Sequence, residues 1–260
     1  RDDVLCRVAL GVQSQRDPVF SELATEVGAG LRIERDLRSR RWWRRHAALC
    51  RLTVLGMGSD LAPRMLDDRD PRVRSAAARW LALKSPTAQT ARRLIGLLDD
   101  AEDRVRHQAM AELVNLGSTA AVELRPALSA ADARVRSAAS TVAAALADPR
   151  IAADARPLLT DPDPAVQASA LHATMPILRA DDEELVGVLL EHDDAGVRQA
   201  AARVAGEANL RGLAGSIGRR LDDDPEQDVR EAAILALEQL GPAGELLLRH
   251  AARQLERADA

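Results

Sequence analysis

Residues 70–81 read DPRVRSAAARWL, a stretch with the features of a helix start followed by one apolar face. Asp70 is suited to accept hydrogen bonds from the free N–H groups of a first turn, and Pro71 fits the first helical position because its missing N–H costs nothing there. Val73 and Ala77 then fall on one side of the helix. The stretch therefore predicts an amphipathic helix that buries this side.

The same pattern returns five times downstream. The valine recurs in steps of 32, 30, 31, 31 and 32 residues, and an alanine follows four residues after each valine. An arginine comes directly after the valine in every copy except one, where Gln167 stands. The six valines are Val73, Val105, Val135, Val166, Val197 and Val229. Such a period indicates an α-solenoid, in which stacked units bury their apolar faces on one another.

The chain divides into three predicted segments. Residues 1–58 form an N-terminal helical cap with a degenerate first repeat, residues 59–241 form six repeats, and residues 242–260 form a C-terminal capping helix. Each repeat has a shorter first helix and a second helix that carries the valine. Trp43 stands 30 residues before Val73, which places Trp43 in the core of the degenerate repeat and turns its neighbour Trp42 away.

The pattern D-x-x-V-R-x-x-A at the start of the second helices resembles HEAT repeats of the short bacterial type that also occurs in phycobilin lyases. This resemblance implies an all-α fold, a right-handed α-α superhelix of the HEAT-like solenoid class, whose second helices line a concave face. The segment SRRWWRR at residues 39–45 is similar to a segment of membrane-tethered bacterial HEAT proteins.

Composition narrows the classes of function. Hydrophobic residues make up 47% of the 260 residues and charged residues 29%, as in a soluble folded chain. The net charge of −4 argues against a general nucleic-acid binder. Cys6 and Cys50 form neither a disulfide framework nor a metal-binding spacing, so we expect a reducing cytoplasm. The cytoplasmic face of the membrane is the alternative if an anchor preceded Arg1.

The arginines that follow the valines have two interpretations. They form either a basic row that binds phosphates or acidic peptides, or ion pairs with the acidic turns of adjacent units. The second interpretation is favoured, because arginine binds carboxylates with two parallel hydrogen bonds and an acidic turn precedes most second helices.

Two surfaces are candidates for partner binding. One is the concave row of small and polar residues found two and six positions after each valine, from which we select Arg79, His107, His172 and Arg203. The other lies in the N-terminal arginine cluster and includes Arg41, Trp42 and Arg45. The cluster also suits contact with anionic lipid headgroups, or is a solvated cap surface. Its arginines are Arg32, Arg35, Arg38, Arg40, Arg41, Arg44, Arg45 and Arg51.

The sequence therefore predicts a non-enzymatic scaffold that binds another protein along the concave face of a solenoid, with a membrane tether as an option for the full-length protein. We identify no catalytic residue, cofactor site or metal site, and we expect no nucleic-acid partner. The alternative is a lyase-type protein, either an enzyme or an enzyme accessory, that holds a small ligand in the groove. The identity of the protein partner and the oligomeric state stay open.

Overall fold

The computed structural model describes the backbone of residues 18–258 and the side chains of residues 21–253. The first residues of the predicted N-terminal cap, Cys6 among them, and the last residues of the predicted C-terminal capping helix lie outside these ranges. No strand occurs within the described backbone, and the predicted all-α fold is confirmed. The structure forms two compact units, which divide between Leu124 and Arg125.

The first unit begins with two short helices and continues as stacked pairs. Its second helices, α3, α4 and α6, lie side by side in chain order, each packed on a shorter first element. A 3-10 segment, Ala62–Asp67, takes the place of one first helix, and another, Leu97–Asp99, extends α5. The α-helices are α1 (Pro18–Glu26), α2 (Ala29–Leu37), α3 (Trp42–Val54), α4 (Pro71–Lys84), α5 (Ala88–Gly96), α6 (Asp103–Leu116) and α7 (Ser118–Glu123).

The second unit repeats this arrangement. Its second helices, α9, α11, α13 and α15, also pack on one another in chain order. The 3-10 segments are Arg156–Thr160, Met175–Ile177, Ala180–Asp182 and Arg211–Leu213. The α-helices are α8 (Arg125–Leu128), α9 (Ala133–Leu146), α10 (Pro149–Ala155), α11 (Pro164–Thr174), α12 (Glu183–Leu190), α13 (Ala195–Glu207), α14 (Ala214–Asp223), α15 (Gln227–Gln239) and α16 (Pro242–Ala258).

The periodic valines and alanines form the apolar seam between helices. All six valines are buried, and the most exposed, Val135, shows 9% of its surface. The six alanines that follow them four residues later are fully buried. Small alanines let the helices approach closely, so the seam is built without large aromatic side chains. The solenoid packing that the spacing predicts is confirmed within each unit.

Polar residues define the ends of the helices as expected. The carboxylate of Asp70 accepts a hydrogen bond from the Arg72 N–H at 3.0 Å, and Asp132 and Asp163 cap their helices in the same way. Gly117 ends α6 with a φ of 58°, a left-handed value that favours glycine. Prolines interrupt several first helices and leave 3-10 segments there.

Arginine and aspartate side chains connect successive helix pairs within each unit. Arg74 donates from Nε and Nη2 to the two carboxylate oxygens of Asp100, each at 2.7 Å, and from Nη1 to the Asp68 carbonyl at 2.8 Å. The ion-pair interpretation is thereby confirmed for Arg74, Arg136 and Arg198, whereas Arg106 pairs with Asp103 of its own helix and Arg230 donates to backbone carbonyls. The same bidentate pair forms between Arg45 and Asp68, Arg136 and Asp161, and Arg198 and Asp224. We call these pairs the arginine–aspartate ladder.

The ladder is incomplete where the sequence departs from its pattern. Gln167 takes the arginine position and donates to the Asp161 carbonyl at 2.7 Å. His192 takes the next aspartate position, where its Nδ1 accepts the Asp194 N–H at 2.9 Å. It corresponds to the bond in the preceding turn, where Asp161 Oδ1 accepts the Asp163 N–H. His192 therefore closes the turn like an aspartate but offers no carboxylate, and the facing residue carries no charge.

The degenerate first repeat differs from its predicted register by one residue. Arg45, not Arg44, is the equivalent of Arg74, because it pairs with Asp68 and donates to the Ser39 carbonyl at 2.8 Å. The prediction that Trp43 is a core residue is consequently wrong, since 51% of its surface is exposed.

Two other residues of types that are usually buried are exposed. Cys50 of α3 is exposed, and Leu246 of α16 is 70% exposed.

Candidate partner-binding surfaces

The exposed side chains of the second helices form one candidate surface in each unit. In the first unit, Arg79 of α4 and His107 of α6 are exposed. In the second unit, Arg203 of α13 is exposed and His172 of α11 is half-buried. We call these residues the second-helix row. Each unit therefore presents polar side chains opposite its buried apolar seam.

His172 contributes a neutral side chain to this row. Burial lowers the pKa of its imidazole below the usual range, and the nearby Arg203 guanidinium acts in the same direction. The Glu207 carboxylate opposes both effects without cancelling them. At neutral pH the ring is therefore uncharged and is suited to hydrogen bonding rather than to ion pairing.

A groove between α2 and α3 forms the second candidate surface. It encloses about 390 Å³ beside the exposed Trp43 ring. We call it the Trp43 groove. Its other lining residues are Arg35, Asp36, Arg44, Ala47 and Arg51.

The neighbouring aromatic and arginine side chains hold Trp43 in place. The Trp42 and Trp43 rings meet edge to face, with centroids 6.1 Å apart and planes at 88°. The Arg72 guanidinium lies over the Trp42 ring, 4.0 Å from its centroid. The Arg41 guanidinium lies over the Trp43 ring, 5.5 Å from its centroid. Trp42 is therefore a support, and Trp43 is the exposed ring.

The Trp43 groove carries an excess of positive charge. Asp36 is paired with Arg51 at 3.0 Å, which leaves the other two arginines without a carboxylate in the groove. Neither Arg35 nor Arg44 forms a side-chain ion pair or hydrogen bond with any described residue. The groove thus combines an aromatic surface with two guanidinium groups that are available to an anion.

His46 and Cys50 lie one turn apart on α3 but do not form a reactive pair. The Cys50 Sγ is 3.8 Å from His46 Nδ1. Desolvation raises the pKa of the thiol and lowers the pKa of the imidazole. Both groups are therefore neutral at pH 7, and the thiol is protonated.

The structure separates the residues selected from the sequence. Arg41 and Trp42 lie beside the Trp43 groove. Arg45 does not belong to an exposed site, because it is only 6% exposed and its guanidinium is occupied by Asp68 and Ser39. The remaining four, Arg79, His107, His172 and Arg203, lie in the second-helix row of their units.

The sequence did not lead us to place Trp43 on a candidate surface or to expect Arg72 as a support. A signal for the first was present in α3. Arg45 stands one helical turn before Leu49 and two turns before Leu52, so the apolar face of α3 passes through Arg45 and leaves Trp43 outside it. The stacking of Arg72 on Trp42 had no signal, since it joins two separate helices.

Comparison with known families identifies part of the chain. Residues 59–124 match the family described as HEAT repeats. This segment contains HEAT repeats. A comparison with curated protein sequences finds no match.

Solved structures with similarity to this chain were also found. The X-ray structure of YibA from Escherichia coli is similar with 21% identity, a TM-score of 0.51, and coverage of 77% of this chain and 75% of that chain. The CpcE–CpcF complex of phycocyanin lyase from Nostoc sp. PCC7120 has 21% identity and a TM-score of 0.48, and the match covers 75% of this chain and 93% of that chain. An engineered protein has 17% identity and a TM-score of 0.46, and the match covers 96% of this chain and 77% of that chain. At these identities the likeness concerns the fold.

Two further features of the described residues bear on function. No helix among them is both long and apolar enough to cross a lipid bilayer. No group of three or more His, Cys, Asp or Glu side chains within that part of the chain is arranged to hold a metal ion.

Proposed function

We propose that this HEAT-repeat chain is a non-enzymatic scaffold that binds a partner protein through its second-helix row. The observation that supports the proposal is the exposure of Arg79 in the first unit and of Arg203 in the second. Each stands six residues after a buried valine, on a helix whose opposite side is fixed in the core. A rigid helix that presents exposed polar side chains is suited to hold a partner without rearrangement.

The ends of the array have a supporting role in this proposal. Residues 1–58 and 242–260 act as caps that close the terminal repeats, as stacked arrays need polar outer faces for solubility. Residues 59–241 supply the binding repeats. A location in the cytoplasm, or at its membrane face through an anchor outside this chain, belongs to the same proposal.

The test is affinity capture with the full-length protein as bait. We expect Arg79→Glu with Arg203→Glu to reduce capture of the main partner by roughly tenfold, because charge reversal at a docking face opposes association. The matched control is Arg64→Glu with Arg253→Glu, which reverses two exposed arginines outside the second helices. Equal capture by both double variants would contradict the proposal.

The alternative function is that of a lyase-type enzyme or accessory with a small ligand. It requires side chains that converge on an enclosed pocket. Within each unit the residues of the second-helix row instead project from two successive second helices, which supports the scaffold. A small molecule that co-purifies with the chain and is lost in the Arg79→Glu variant would favour the alternative.

A further inference from the structure

We propose that the Trp43 groove binds an acidic segment of a partner protein, with an apolar side chain of that segment packed against the Trp43 ring. This site is separate from the second-helix row, so it does not depend on the function proposed above. It lies wholly between α2 and α3 of the first unit.

The aromatic wall of the groove is prepared for contact. Trp43 is half exposed, yet its position is fixed by the edge of Trp42 and by the Arg41 guanidinium. Trp42 is in turn held by Arg72, which belongs to the next helix pair. An exposed tryptophan that loses little freedom on binding is typical of residues that dominate interface energy.

The charges of the groove select an anionic partner. Arg35 of α2 and Arg44 of α3 line the groove together with the ring, and neither has a carboxylate partner among the described residues. Asp36 does not neutralise them, because it is engaged with Arg51. Two carboxylates placed on either side of an apolar residue match this pattern, since guanidinium groups bind carboxylates with directed hydrogen bonds.

The shape of the groove favours a peptide over a membrane surface. The Trp43 ring borders a concave space of about 390 Å³, which a protruding side chain fills. Membrane binding instead inserts projecting apolar side chains into the lipid. Leu31, on the outer side of α2, is the residue that would insert, so it distinguishes the two occupants.

The experiment selects ligands from a randomised peptide library against the full chain and measures the affinity of the selected peptides by fluorescence anisotropy. We expect the selected peptides to be enriched in Asp and Glu around one aromatic or aliphatic residue. Trp43→Ala should weaken their binding by roughly tenfold or more, as at other interface tryptophans. Arg35→Gln with Arg44→Gln should weaken binding and flatten its dependence on salt.

The control variants separate this site from other surfaces. Arg38→Gln removes an exposed arginine of the same cluster, and Arg79→Glu with Arg203→Glu alters the second-helix row; both should leave peptide affinity unchanged. Circular dichroism melting of Trp43→Ala checks that the exposed substitution leaves the fold intact.

Two results would overturn the proposal. One is a set of selected peptides without acidic enrichment, or with unchanged affinity for a folded Trp43→Ala variant. The other is sedimentation of the chain with phosphatidylserine vesicles that is lost in both Leu31→Glu and Trp43→Ala, together with no selected peptide that depends on Trp43. That result would assign the groove to the membrane surface.

Discussion

Asp224 shows how one side chain stabilises two turns at once. Its carboxylate accepts both branches of the Arg198 guanidinium, at 2.8 and 2.9 Å, and also the Glu226 N–H at 3.2 Å. The Arg198 and Asp224 side chains are 9% and 0% exposed. A charge buried this deeply is tolerated because its partner and its hydrogen bonds are all in place.

Replacement of Asp224 by Asn should therefore destabilise the protein strongly. Asn keeps the shape but leaves the Arg198 charge buried without a counter-ion, and we expect a loss of about 3 kcal/mol in the free energy of unfolding. The control is Asp154→Asn, which removes an ion pair whose arginine is 70% exposed, and which should cost about 1 kcal/mol or less. Urea denaturation measures both. Equal losses in the two variants would argue against a structural role for the ladder.

The residues of the ladder also show what sequence could predict. A valine followed by an arginine locates Arg74, Arg136 and Arg198, and the acidic turns indicate the kind of partner that each one finds. Arg45 does not show this pattern. The position before it, which is a valine in the other repeats, is Arg44. Its role depends on Asp68, which lies in the turn after the next first element and carries no local sign of its target.

At the scale of elements, α13 and α15 pack closely against each other around a glycine. A methyl group built on Gly206 would lie 2.6 Å from the Ala236 Cα and 3.0 Å from its Cβ. Real Cβ atoms do not approach a backbone so closely. The two helices therefore depend on the missing side chain at this position, together with the small Ala236.

Gly206→Ala should destabilise the protein although alanine favours helices. We expect a loss of about 1–3 kcal/mol, because α13 and α15 must move apart and disturb the seam between them. In the same unit, Gly215 of α14 has no atom within 4 Å of the corresponding methyl position, so Gly215→Ala should stabilise by about 0.5–1 kcal/mol. Thermal melting of the two variants should show opposite shifts. Two shifts of the same sign would contradict this account of the crossing.

The ladder gives the whole molecule a defined response to acid. Hydrogen bonds from arginine lower the pKa of Asp161 and Asp224. Burial raises the pKa of Asp100, but the hydrogen bonds from Arg74 and the Glu102 N–H, together with the nearby arginine charges, bring it below its usual value. A carboxyl whose pKa is lower in the folded state stabilises the fold above its unfolded pKa, near 3.9. That stabilisation is lost as the pH falls through the pKa of the carboxyl in the folded state, which is the lower of the two pKa values.

We therefore expect the urea midpoint to change little between neutral pH and about pH 5, and to fall steeply below about pH 4. A triple variant with Asn at positions 100, 161 and 224 should be less stable at pH 7 but should lose less on acidification. The measurement is the urea midpoint of both proteins at each pH. A triple variant with the wild-type acid dependence would show that other groups control this response.

Predictability also differs between the array and its candidate surfaces. The apolar seam could be predicted because its buried positions follow the helical period. The residues equivalent to Val73 and Ala77 are buried in every copy. The second-helix row followed from the same period. The Trp43 groove could not be found in this way, because it lies in the degenerate repeat and depends on contacts between separate helices, such as Arg72 with Trp42.

The shared aspartates have a consequence for grafting extra repeats into this chain. The carboxylate of Asp161 belongs to the arginine of the preceding pair, while its carbonyl accepts from Gln167 of the pair that follows. A foreign repeat spliced at such a junction must supply a guanidinium on one side and a carboxylate on the other. At the junction of Gln167 and His192, an inserted repeat needs neither a guanidinium nor a carboxylate. We expect this junction to accept an inserted module most readily.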